Sequence, residues 1–305
     1  MKTDTQNHTF GHILSFISIL FFALNIPATA YILKGWIDPA AYTLVRSGGG
    51  MLVCWIISLF VKNQRVQQKK DYLTFFLGGA FGLALFFFLF SYGIGKTSPI
   101  DASIILTMPP VMVLILSAFV FKEKITVRKM FGIFLALGGA LMVILLQGHS
   151  GNHEGMIGNI FVLIAALLYG SYLVFTRDIS RRYNPVILLR WFYLFAFVCA
   201  FPFCIKSFVG SELVQHPSAT PILVMLFIAI FPSAVAYLLL SLAMRSLSST
   251  VVSTYNYAIP IIASVAAILL KQATLRWDEP VATVLVIIGV YFVNFSVKKK
   301  PGAVK

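Results

Sequence analysis

Charge is what this sequence has least of. Only 11% of its 305 residues are Asp, Glu, Lys or Arg, and just 10 are acidic. A soluble domain carries about 25% charged residues, so there is too little polar surface to wet a globule of this size. Cysteine is scarce as well. Cys54, Cys199 and Cys204 lie inside apolar runs without metal-type spacing and read as packing residues. Neither His-Glu-x-x-His nor Gly-x-Ser-x-Gly occurs, and no apolar run holds paired aspartates, which argues against a hydrolase within the membrane. Gly95-Lys96-Thr97 has the ending of a phosphate-binding loop, but Phe90 stands where its first glycine belongs and no strand precedes it. His149, His153 and Glu154 share a short loop with no further ligand, so neither a metal nor a cofactor is expected.

Apolar residues are abundant instead. They make up 59% of the chain, with 28 Phe and a mean hydropathy of +0.90, the composition of an integral membrane protein. A helix needs about 20 apolar residues to cross the hydrocarbon core. Ten such runs follow one another: 13–33, 40–61, 72–95, 102–121, 130–147, 156–176, 186–205, 222–244, 250–270 and 281–297. A barrel would show ~10-residue alternating segments, so the expected fold is an all-α membrane protein of ten transmembrane helices. Ala28-Thr29-Ala30 resembles a leader cleavage site, but the first run continues to Leu33 and reads as a retained helix. The N-terminus, alternate loops and the tail hold seventeen basic residues against five in the other loops. This asymmetry places both termini in the cytoplasm. The net charge of +14 is then a topology signal; it forms no aromatic-interleaved basic face, and no nucleic-acid partner is expected.

Sliding the chain against itself by 150 residues brings runs and loops into register. Ser91, Ser98, Ser103 and Pro110 fall on Ser241, Ser248, Ser253 and Pro260; Phe81 falls on Phe231 and Gly139 on Gly289. Asp38-Pro39 before the second run has its counterpart in Asn184-Pro185 before the seventh. Residues 1–148 and 155–298 thus form two five-helix repeats, with 299–305 as a cytoplasmic tail. Five is odd, so the halves enter the membrane from opposite sides, the inverted arrangement that carriers use around a midplane site.

These features resemble the drug/metabolite transporter superfamily, specifically its EamA-type branch. The resemblance covers nearly the whole chain. In the first half it rests on Pro110-Val111, then Glu123-Lys124-Ile125-Thr126, then Gly132 and Gly138-Gly139. The second half has Pro260 and Gly289 but puts Lys271-Gln272-Ala273 where the family has its Glu. The tryptophan common in the first helix is absent, with Phe22-Ala23-Leu24-Asn25 there, while Arg46 stands where members often carry an arginine. The resemblance implies a carrier in the bacterial inner membrane that exports small metabolites, amino acids or related amphipathic compounds. Its partners would be that small-molecule substrate and the lipid bilayer, and a homodimer is compatible with it. The competing class is a membrane-embedded enzyme or scaffold without transport, which the lack of a continuous central cavity would favour.

Polar side chains at membrane depth mark a pathway or bind helices together. Candidate substrate-binding residues are therefore Asn25 in the first run, Thr107 before Pro109-Pro110 in the fourth, and Tyr169 and Tyr172 in the sixth. Ser233 and Tyr237, with Ser241, repeat every four residues and form one stripe on the eighth. Ser253, Tyr255, Asn256 and Tyr257 crowd just ahead of Pro260. Arg46 is the only charge well inside a run of the first half; it either snorkels to the outer interface or binds a substrate carboxylate. Arg190 reads as snorkelling, and Gly78 and Gly82 as a packing face. No carboxylate stands at mid-depth, which points to facilitated diffusion, exchange or coupling of another kind rather than to proton coupling through such a group.

Overall fold

The structure is a computed structural model. It describes residues 2–294 except 62–63, 121, 123–124, 150–151, 245, 248–250 and 253–254; side chains of 2–8, 147–149 and 294 are also outside it. Ser253, Glu123 and the tail therefore lie outside the described residues. Within them the chain is helical and contains no strand. Eight helices are long and apolar enough to cross a membrane: α1 (Lys2–Ile32), α2 (Pro39–Ser58), α3 (Lys69–Ile94), α4 (Pro99–Val120), α5 (Val127–His149), α6 (His153–Phe175), α7 (Pro185–Val209) and α8 (Ala219–Ala243). Two shorter apolar helices follow, α9 (Ala258–Leu269) and α10 (Asp278–Asn294).

Local chemistry sets the starts. Asp38, Ser98, Asn152 and Asn184 each accept a backbone N–H of the first turn, which would otherwise lack a partner. Three of the four are followed by proline at the first helical position, where its fixed φ suits the turn and its missing N–H costs nothing. Lys122 and Lys271, just past α4 and α9, both take the left-handed conformation at φ 54°, which closes the chain after a helix.

Polarity is distributed inside out. Phe60, Phe119 and Phe203 are about four-fifths exposed, while Ser18, Thr29, Ser47 and Asn159 are fully buried. Water would penalise that surface, whereas hydrocarbon accepts it and forces polar groups to find partners within the bundle. Ser18 Oγ donates to the Ala236 carbonyl and Ser47 Oγ to that of Thr43, as this requires.

Helix interruptions recur at matching places. α3 widens into a π-helical stretch over Gly78–Leu85, and α8 does the same over Phe231–Val235, which coincide at an offset of 150 residues. α4 breaks at 106–108, between Pro99–Ile105 and Pro109–Val120; at the same offset a 3₁₀ turn, Tyr255–Tyr257, precedes α9. Ser91 and Ser241 both turn back to the carbonyl four residues earlier. Packing follows the same rule. α2 lies on α7 and α5 on α10; α1 meets α8 as α3 meets α6, and α1 meets α9 as α4 meets α6. Exchanging each helix with the one five places later returns the same pairs.

α5 and α10 bring their backbones close together. A methyl group at Gly132 would stand 2.6 Å from the Gly289 carbonyl oxygen, and one at Gly289 would run into the Ala136 backbone. Gly138, on the same helix as Gly132, faces open space. Replacing Gly289 by Val is expected to destabilise the protein by roughly 1–3 kcal/mol through overpacking, whereas Gly138→Ala should be neutral or slightly stabilising. Thermal melting of the purified variants in detergent checks the pair.

Candidate functional site

A cavity of about 580 Å³ lies in the middle of the bundle. Its closed end is made by Phe22, Asn25 and Ile26 of α1, Arg46 of α2, and Phe86 and Phe90 of α3. From there it descends along the C-terminal parts of α4, α6, α8 and α10, past Asn256 and Ile259, to Lys129 at the start of α5. Those are the helix ends that adjoin the more basic loops. The α4 break puts Leu106, Thr107, Pro109 and Pro110 on its wall, where two consecutive prolines cannot donate backbone N–H groups. Among the described residues no carboxylate lines it.

Of the residues singled out from sequence, seven come together here: Asn25, Arg46, Thr107, Tyr169, Tyr237, Asn256 and Tyr257. The Tyr169 and Tyr237 hydroxyls are 3.4 Å apart, and the Phe22 ring meets Tyr237 edge-on. Asn25 is buried, and its Oδ1 has no hydrogen-bond partner. Tyr172 stands behind the wall, stacked on Tyr169 and packed over Gly82. Ser233 is fully buried behind Arg46, because the π-helical stretch of α8 breaks the expected four-residue stripe. Tyr255 points elsewhere, its hydroxyl 2.7 Å from His12 Nδ1.

Arg46 does not snorkel. Only 3% of it is exposed. Its Nη1 donates to the Tyr42 hydroxyl at 2.8 Å, and its Nε to Ser233 Oγ at 3.3 Å. The guanidinium carbon sits 4.2 Å from the Phe87 ring centre and 5.6 Å from that of Phe90, a favourable cation–π geometry. Tyr42 is in turn 3.0 Å from Thr29 Oγ1, and the Tyr193 hydroxyl donates to the Ser233 carbonyl. Sequence reasoning missed Tyr42, Tyr193 and the phenylalanine walls. Tyr42 was within reach of it, four residues before Arg46 on one helix face; Tyr193 arrives from a distant helix and left no local signal.

Two polar clusters cap the ends. At the end that adjoins the more basic loops, Arg182 Nη1 and Nη2 donate to Asp71 at 3.0 and 2.8 Å, joined by the Tyr183 hydroxyl. At the other end, Arg276, between α9 and α10, reaches Asp101 of α4 at 3.4 Å and also pairs with Asp278. Its backbone N–H donates to Glu279 at 2.7 Å. Asp278 and Glu279 lie ahead of the apolar run that begins at residue 281. The Arg276 hydrogen bond holds Asp278 below the usual carboxylate range. Burial pushes Glu279 up to about 7; the nearby carboxylates of Asp101 and Asp278 add to this, and Arg276 opposes it.

Residues 9–145 and 156–295 each match the EamA-like transporter family. An uncharacterized transporter of Archaeoglobus fulgidus is 24% identical over 91% of this chain and 96% of its own. YyaM of Bacillus subtilis, also called an uncharacterized transporter, is 24% identical over 92% and 93%. A probable amino-acid metabolite efflux pump of Escherichia coli K12 is 26% identical over 81% and 84%. One solved crystal structure shares the fold, with a TM-score of 0.63 over 94% of this chain and 97% of its own, at 18% identity.

A carboxyl whose value rises on folding favours the folded state when protonated. Its contribution is complete below about 4.5 and fades as pH climbs to about 7. The Tm of the purified protein is therefore expected to fall by a few degrees across that window. Glu279→Gln, which cannot ionise, should flatten the slope in a pH series of melting curves.

Proposed function

This chain belongs to the EamA-like transporter family, and from that premise we propose that it is an inner-membrane carrier exporting small amphipathic metabolites, amino acids among the candidates. Ten spans do this work, α9 and α10 completing the eight longer helices. They form two five-helix halves inserted with opposite orientation, which exchange access to one site between the two faces of the membrane. The central cavity, shared by both halves and walled by the interrupted helices α3, α4 and α8, is the observation that carries this reading. The paired family matches and the exchange symmetry of the packing support it.

With both termini cytoplasmic, the cavity opens inward toward Lys129, and the Asp101–Arg276–Asp278 cluster closes the outer side. Outward opening would separate α4 from α10 by breaking that ion pair. Proline-interrupted α4 and the 3₁₀ entry to α9 are the weak points at which such a motion can hinge. Export, rather than uptake, is supported by the relative in Escherichia coli named as an efflux pump. Asn25, Thr107, Tyr169, Tyr237, Asn256 and Tyr257 bind the substrate, with Arg46 at the closed end.

An unbiased metabolite screen of the medium, with and without expression, identifies what leaves the cell. For the exported compounds, Tyr237→Ala combined with Asn256→Ala is expected to cut efflux about tenfold, the factor carried by ~1.4 kcal/mol of lost contact. Unchanged efflux of every compound would remove these two residues from the site.

A further inference from the structure

Arg46 and Asn25 face the cavity at one level. The Thr29–Tyr42 contact joins α1 to α2 at 3.0 Å. One helical turn from it, in the same direction along each antiparallel helix, stand Asn25 and Arg46. Each is more than nine-tenths buried, and each offers an unused polar atom. Nε and Nη1 of Arg46 are engaged by Ser233 and Tyr42, while Nη2 makes no bond among the described residues. Asn25 Oδ1 is an acceptor with no donor. Among the described residues no acidic side chain lines the cavity to neutralise Arg46, and Lys129 at its mouth adds a second positive charge.

A guanidinium withdrawn from water without a counter-ion is costly, and aromatic faces offset only part of that cost. A ligand carboxylate would supply the missing charge through a strong charge-assisted hydrogen bond. The rest of the closed end, Phe22, Ile26, Phe86 and Phe90, is apolar and aromatic.

We propose that this carrier recognises amphipathic carboxylates, with the carboxylate on Nη2 of Arg46, a neighbouring polar group on the side-chain amide of Asn25, and an aromatic or branched body against the phenylalanines. The proposal rests on the carrier reading above and narrows it. Because the described lining holds no acid for an ammonium group, the carboxylate is the required end and the amino group is dispensable.

The test is equilibrium binding to the purified full-length protein in detergent, using phenylalanine, 3-phenylpropionate and phenethylamine. These share one aromatic body and differ in which charged end they keep. Phenylalanine and 3-phenylpropionate are expected to bind at least about tenfold more tightly than phenethylamine, the range of a hydrogen bond to a charged group. Arg46→Gln should erase that preference and Arg46→Lys should keep part of it. Asn25→Leu should weaken phenylalanine more than 3-phenylpropionate, which has no amino donor. Phenethylamine binding as tightly as the carboxylates, or no probe binding wild-type protein, overturns the proposal without needing any variant to fold. Flux in proteoliposomes separates the two readings. Carboxylates that bind but never cross would defeat the carrier and spare the site; amines that cross while carboxylates do not would defeat the site and spare the carrier.

Discussion

A positive charge inside a membrane-spanning bundle has to be held by whatever the chain can bring to it, since neither water nor lipid will do so. Around Arg46 that supply comes from both halves. Tyr42 and the rings of Phe87 and Phe90 belong to the first; Ser233, steadied by Tyr193, belongs to the second. The closed end of the cavity thus depends on the two halves being docked. Any rocking of one against the other alters the surroundings of Arg46 first. Under the proposed rocking, occupancy of the site and conformation would be linked at that point, the coupling a carrier requires.

The helix interruptions belong to the same economy. An irregular backbone is tolerated at membrane depth only where it is enclosed by protein or lines a cavity. The π-helical stretches of α3 and α8 pack on one side against α6 and α7, and against α1 and α2, while Phe81, Leu85 and Phe231 turn outward. One consequence is local: the wider turn moves Ser233 off the face it would share with Tyr237, so Ser233 serves Arg46 while Tyr237 meets the cavity. Close packing of α5 on α10, through Gly132 and Gly289, joins the halves along a tight seam beside the cavity, which Lys129, Val290 and Val293 line.

Much of this was legible in the sequence. Apolar run length located the eight long helices, because hydrocarbon thickness and backbone satisfaction leave few choices, and the offset of 150 residues pointed to the two stretches that the family matches separately. Asn25, Thr107, Tyr169, Tyr237, Asn256 and Tyr257 stood out because polar atoms at depth need a reason. The failures are equally physical. Tyr172, Ser233 and Tyr255 share the polarity of the cavity residues, but their direction is set by π-turns and neighbouring rings that no periodicity reveals. Arg46 looked able to snorkel, since its depth was measured along one helix; Ser233 and Phe87, from two others, hold it in. The Asp101–Arg276 pair joins positions 175 residues apart, which spacing cannot suggest.

The central claim is that one cavity is reached alternately from the two membrane faces. It is tested most directly by placing a single cysteine at Thr107 in a background without Cys54, Cys199 and Cys204, and labelling oriented vesicles with a membrane-impermeant thiol reagent. With Arg276 intact, labelling should come from the cytoplasmic face. With Arg276→Ala, which unlatches α4 from α10, labelling from the outer face should rise. Access confined to one face in both proteins, or to neither, would contradict alternating access through this cavity.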